Sequence, residues 1–263
     1  MKVLLLFLSL ILSGQTHIDD KIKKSSELYL KMGIPERISY QMGYNLIRKD
    51  YKGKNSIILD TKLKLLYVFD KNGKFIAKTP IISGMDTQSN EPEKIKVSLM
   101  SWDEMTKYIG FKWNDYAGYI DVNGKNREYS DDLVYNEISR TKTRFLPKGI
   151  YTTSTKMTDE SSYFGKTKNQ LMLFHEEKEL SHAIHSYYPS QIRKNVFKKL
   201  ETFITKPTNP KISNEYYTII KNINMNLSYG CFNVPPEFLP ILRKFCIDSF
   251  VFNLGEEDND YLL

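Results

Sequence analysis

Cysteine and histidine are scarce here: the 263 residues hold only two cysteines, Cys231 and Cys246, and four histidines. So few cysteines in a chain of this length exclude a scaffold built on disulfides, although a single bond between the two stays open. Long apolar runs are also missing. Beyond the first dozen residues, no stretch approaches the roughly 20 apolar residues a spanning helix needs. Zinc-finger, basic-zipper and RNA-binding signatures are absent, so the formal charge of +7 does not point to nucleic acid. Gly-x-Ser-x-Gly and the P-loop are absent too. Ser139-Arg140-Thr141-Lys142 imitates a Ser-x-x-Lys motif without its companion motifs, and is read as chance. Neither an internal repeat nor a low-complexity segment is present.

What the chain does have is a 41% hydrophobic share with 18 Tyr and 14 Phe, the composition of an aromatic-rich globular core rather than of a disordered chain. The lysine-rich runs Lys21 to Lys24 and Lys194 to Lys199 read as solvated surface. Met1-Lys2, the apolar Val3 to Leu12 and the small Ser13-Gly14 have the anatomy of a secretory signal peptide over 1–14. No cysteine follows that run to carry a lipid. The expectation is an exported protein, periplasmic or extracellular at the cell wall, with no stable membrane anchor after cleavage.

From Ser25 to Asp50, apolar and aromatic residues spaced three or four apart predict two short helices, the second opened by Pro35. This is an N-terminal helical segment over 15–54. The period then changes. Ser56 to Asp60 and Leu65 to Phe69 are short β-favouring runs, and Asp70-Lys71-Asn72-Gly73 is a turn leading to a strand that runs to Ile82. Met85 to Arg144 mixes aromatics with Gly and Asp without a clean period, as an insertion would. Strands are predicted again at Gly149 to Thr153, Gln170 to Phe174 and His182 to His185. Helices follow at Gln191 to Thr205 and Glu215 to Ile223, then a short one from Pro235-Pro236 to Phe245. Phe250 to Leu254 closes as a strand, and 255–263 is an acidic tail.

Nucleophilic cysteine chemistry needs a thiolate, an imidazole to take and return its proton, and backbone donors for an oxyanion. Cys231 follows Gly230, which lets the backbone turn sharply, and has Ser228 and Asn233 as polar neighbours. From these residues alone, Cys231 is either such a nucleophile or a buried cysteine on an apolar turn. Cys246, between Phe245 and Ile247, reads as core. His17 lies beside the predicted cleavage site, which leaves His175, His182 and His185. His185 ends the apolar pair Ala183-Ile184, where a strand delivers a side chain to a site. His182, at odd spacing from it, would face the other way. Zinc bound by these histidines, the adjoining glutamates and Cys231 is a rival reading, but His-Glu-x-x-His is not formed.

Taken in order, four segments resemble the L,D-transpeptidase (YkuD-like) catalytic domain. They are the strand pair Ile57 to Asp70, then Ser83-Gly84, then Pro147-Lys148-Gly149-Ile150-Tyr151, and last the pairing of Ala183-Ile184-His185-Ser186-Tyr187 with Ser228-Tyr229-Gly230-Cys231-Phe232-Asn233. The resemblance implies an α+β, mainly β fold: an L,D-transpeptidase-like β-sandwich over 55–254, with short helices and insertions at about 85–144 and 188–224. It implies Cys231 as nucleophile and His185 as base, oriented by a backbone carbonyl near Ser186. Backbone N–H groups at Tyr229, Gly230 and Cys231 would form the oxyanion hole, and Asn233 fills a position where the family has Arg or Asn. It further implies peptidoglycan stem peptides as substrate and no cofactor. The departures are Tyr229 where the family has His, Ser186 where it has Gly, and a long gap between His185 and Cys231. Two alternatives are a catalytically degenerate wall-binding module and a sortase-like transpeptidase in which Arg243 plays the downstream arginine.

Overall fold

The computed structural model describes residues 18–84, 92–101, 104, 145–162, 165–186, 191–203, 210–223, 225, 228 and 230–256. The signal-peptide expectation, most of the 85–144 insertion, Tyr187, Tyr229 and nearly all of the acidic tail lie outside the described residues. Two helices open the described chain, α1 (18–31) and α2 (Glu36–Ile47), with Pro35 as the N-cap of the second. Nine strands follow: β1 (Ser56–Asp60), β2 (Leu65–Phe69), β3 (Phe75–Pro80), β4 (Gly149–Thr153), β5 (Thr158–Ser162), β6 (Gly165–His175), β7 (Lys178–Ser186), β8 (Phe232–Val234) and β9 (Phe250–Asn253). The remaining helices are α3 (Pro92–Ser98), α4 (Gln191–Lys199), α5 (Asn214–Lys221) and α6 (Leu239–Phe245).

β1 and β2 are buried at every position, which is why their sequences run apolar without alternating. The turn between β2 and β3 is closed by the Asp70 carboxylate, which accepts from the Asn72 and Lys74 N–H groups at 2.9 and 2.8 Å. Gly73 sits there at φ +81°, and an added Cβ would lie 2.5 Å from the Tyr29 hydroxyl, so only glycine fits. That hydroxyl donates to the Gly73 carbonyl at 2.7 Å and ties α1 to the hairpin.

All nine strands belong to one mixed sheet in the order β3-β2-β1-β9-β4-β6-β7-β8, with β5 on β6. The β1–β9 and β7–β8 pairs are parallel and the others antiparallel. Just after β3, Ile82 bridges to Asn233 in β8 and Gly84 bridges to Ser228, so the two ends of the sheet meet and the sheet is nearly a barrel. The layers are therefore this curled sheet and the helices packed against its two faces. Alternation divides the apolar residues between two clusters. Ile57, Leu59, Leu66, Val68, Ile184, Phe232 and Val234 pack in one with Leu242 of α6. Ile58, Leu65, Tyr67, Phe69 and Ile82 pack in the other, under Ile38 and Met42 of α2, Val196 of α4 and Tyr216 of α5.

Candidate active site

β7, which carries His185, and β8, which Cys231 immediately precedes, are parallel neighbours. His185 pairs with Asn233, Ile184 with Phe232, and Ser186 with Val234. Ile184, Phe232 and Val234 enter the first cluster, so His185 and Asn233 face the opposite side of the sheet. Cys231 lies in the bend just before β8, two residues ahead of Asn233. It is half-buried.

The imidazole is held at both nitrogens. Nδ1 lies 2.5 Å from the Ser186 carbonyl oxygen, which can only accept, so the neutral ring carries its proton on Nδ1. Nε2 is then the basic nitrogen, with Asn233 Nδ2 donating toward it at 3.4 Å. Asn233 is itself fixed by two backbone bonds to Ile82, of 2.8 and 3.0 Å, and its Oδ1 is buried with no hydrogen-bond partner. This fixes the tautomer that a proton acceptor toward a thiol requires.

The turn before Cys231 is equally constrained. Gly230 has φ +111°, in the region that favours glycine. The Ser228 hydroxyl donates to the Cys231 carbonyl, and the Ser228 N–H donates to the Ser83 carbonyl at 2.9 Å. Ser83 N–H in turn donates to the Met225 carbonyl at 3.0 Å. The segment just after β3 therefore braces the turn, a contact that nothing in the spacing of Ser83-Gly84 announces.

The other expected or rival groups lie elsewhere. His182 is buried, its Nε2 is 3.1 Å from the Phe145 carbonyl, and burial holds its pKa down to about 4. His175 lies at the end of β6 beside the Tyr151 ring. Cys246 is in the first core cluster, where burial pushes its thiol far above the usual range, and neither cysteine is in a disulfide. Among the described residues, no group of three or more His, Cys, Asp and Glu side chains is placed to hold a metal ion. Arg243, on α6, binds the Asn169 side-chain oxygen through Nε and Nη2 at 3.1 and 2.7 Å. Also among the described residues, no helix is long and apolar enough to cross a membrane.

No protein-family model and no curated protein matches the chain. Solved structures align with it at low similarity. An L,D-transpeptidase from Enterococcus faecium aligns at 10% identity and a TM-score of 0.34, covering 77% of this chain and 50% of that one. An L,D-transpeptidase (Yku) from Stackebrandtia nassauensis aligns at 12% and 0.33, covering 91% and 80%. The helical cell shape determining protein Pgp2 from Campylobacter jejuni aligns at 13% and 0.35, covering 86% and 58%. This chain spans about half the length of the Enterococcus faecium protein. At such values these likenesses decide nothing about activity, which has to be argued from the site.

Proposed function

We propose that the protein is an exported enzyme carrying out cysteine-dependent acyl transfer on peptidoglycan stem peptides. The observation that carries this reading is the His185 imidazole, its proton fixed on Nδ1 by the Ser186 carbonyl, on the strand beside the Gly230-Cys231 turn. The four family-like segments supply the substrate class.

In this mechanism His185 Nε2 takes the Cys231 proton as the sulfur attacks the carbonyl after the third stem residue. The oxyanion is received by backbone N–H groups at Tyr229, Gly230 and Cys231. His185 then protonates the leaving amine, and the terminal D-amino acid departs. An amine of a second stem resolves the thioester as a cross-link, or water resolves it as trimming. No step calls for a cofactor. Arg243, engaged with Asn169, gives the sortase-like alternative no support.

The test is incubation of the purified protein with tetrapeptide muropeptides, with products followed by mass spectrometry. Dimer formation or D-alanine release is expected, abolished in Cys231→Ala and reduced by about 10²–10⁴-fold in His185→Ala. Unchanged product from Cys231→Ala would sink the assignment. A protein that binds stems and yields no product is the degenerate wall-binding module instead.

A further inference from the structure

His185 and Asn233 are register partners on the parallel pair β7–β8, and they are only 2% and 1% exposed. Asn233 Nδ2 lies 3.4 Å from His185 Nε2, while its Oδ1 is buried with no hydrogen-bond partner. We propose that Asn233 is a positioning residue whose amide turns over when Nε2 gains a proton, so that Oδ1 then holds the imidazolium. The proposal rests on the acyl-transfer reading and adds to it the group that keeps the proton on the ring between its two transfers.

The two ends of an amide are not interchangeable: Nδ2 only donates and Oδ1 only accepts. With the ring proton on Nδ1, against the Ser186 carbonyl at 2.5 Å, Nε2 offers a lone pair and a donor must face it. That donor is Nδ2. At 3.4 Å the contact is longer than the usual range of about 2.7–3.2 Å, so it guides the ring without tying up the lone pair.

When the Cys231 S–H bond breaks and its proton moves to Nε2, the sulfur keeps the electron pair and the ring becomes a cation with a donor at each nitrogen. Nδ2 would then set one N–H against another. A half-turn about the Cβ–Cγ bond brings Oδ1 to Nε2 instead. The new hydrogen bond has a charged donor and is about twice as strong as a neutral one. An unpaired buried acceptor is unfavourable in the resting site, and the protonated ring is the partner that relieves it.

The side chain is the part able to respond. The Asn233 backbone is held to Ile82 by two bonds of 2.8 and 3.0 Å, and the ring is held at Nδ1 by Ser186. The terminal torsion of asparagine is broad and roughly two-fold, so both amide orientations are open to it without moving the strand. Once His185 passes its proton to the leaving amine, Nε2 is a lone pair again and the amide turns back.

The experiment is alkylation of the full-length protein by iodoacetamide, read by mass spectrometry on the Cys231 peptide so that the buried Cys246 does not count. Near pH 7 the thiolate persists only where an imidazolium holds it, whereas near pH 10 a thiol ionises by itself. Asn233→Leu, similar in size and without polar atoms, is expected to react at least about tenfold more slowly than wild type near pH 7 and alike near pH 10. Asn233→Asp keeps an acceptor and lacks the donor, so it should recover most of that loss. Its kcat on tetrapeptide muropeptides should still fall about tenfold with KM unchanged, because a carboxylate retains the proton the leaving amine needs. Adding Asn233→Leu to His185→Ala should slow alkylation no further than His185→Ala alone. Wild-type reactivity in Asn233→Leu near pH 7, or Asn233→Asp as slow as Asn233→Leu, overturns the amide turn and leaves the acyl-transfer reading standing. If Asn233→Leu does not fold, Asn233→Asp decides, and an unchanged kcat overturns the proposal. If His185→Ala alkylates near pH 7 as fast as wild type, the acyl-transfer reading falls and the proposal with it.

Discussion

At the scale of single residues, the histidines show how environment assigns roles that composition leaves open. His185 meets a carbonyl at Nδ1 and an amide at Nε2, on the edge of the sheet that also carries Cys231. His182, three residues away, is fully buried and held to about 4 by loss of water, against the hydrogen bond from its Nε2 to the Phe145 carbonyl. A histidine with a depressed folded pKa makes stability depend on acid in one direction. Above its ordinary value of about 6.5, neither folded nor unfolded chain carries the proton. As pH falls toward about 4, the unfolded chain takes up a proton that the folded chain refuses, and stability is lost through that window. The contribution is about 3 kcal/mol. Urea unfolding between about pH 7.5 and about pH 4 should show this loss, and His182→Gln should have a flatter profile. An identical pH dependence in the variant would rule His182 out as its source.

At the scale of elements, tyrosine hydroxyls fasten the outer helices to the sheet. Tyr216 of α5 donates to the Leu63 and Lys64 carbonyls at 2.9 and 2.8 Å, between β1 and β2, and its ring packs edge-on against Phe203. Tyr67 of β2 donates to the Pro210 carbonyl at 2.7 Å, and Lys78 of β3 donates to the carbonyl of Lys211. These contacts lash the 210–223 segment over β2 and β3. Tyr216→Phe keeps the ring packing and removes the donor shared by the Leu63 and Lys64 carbonyls, the second of which keeps the Ile81 N–H at 2.9 Å, so it should lower the unfolding free energy by about 1 kcal/mol. Denaturant titration measures it. A neutral result would mean that water replaces the hydroxyl.

At the scale of the whole molecule, one buried ion pair joins the helical N-terminal segment, the sheet and the far end of the chain. Arg37 of α2 meets Asp60 at the end of β1 at 2.7 Å, and its Nη2 donates to the carbonyls of Leu254 and Gly255 at 3.2 and 2.9 Å. Burial pushes the Asp60 carboxyl up to about 6 against the attraction of Arg37, and its Oδ2 has no partner. Desolvation of this kind means the pair specifies a docking geometry more than it adds stability. Asp60→Ala leaves the guanidinium buried without its counter-charge and should cost about 3–5 kcal/mol, read as a fall in Tm. Arg37→Met combined with Asp60→Leu should recover most of that loss. If the double variant is as unstable as the single one, the geometric contacts outweigh the charge.

The local pattern of residues already carried much of the fold. The strands β1 and β2, the Asp70–Gly73 turn from β2 into β3, the helix opened by Pro35, the strand at Gly149 to Thr153 and the closing strand at Phe250 follow from periodicity and turn chemistry, which act over a few neighbours. β5 and β8 did not show in the sequence. β5 is polar, and β8 has three residues, too few for a period to register; it exists as a strand because β7 and the segment after β3 supply hydrogen bonds on both sides. Residue type and a glycine neighbour left Cys231 open between nucleophile and core cysteine, and the family resemblance singled out both it and His185. Only the tertiary structure chose the ring nitrogen, through the Ser186 carbonyl, and braced the turn before Cys231 with the segment after β3. Such contacts join residues far apart in the chain, and no local spacing encodes them.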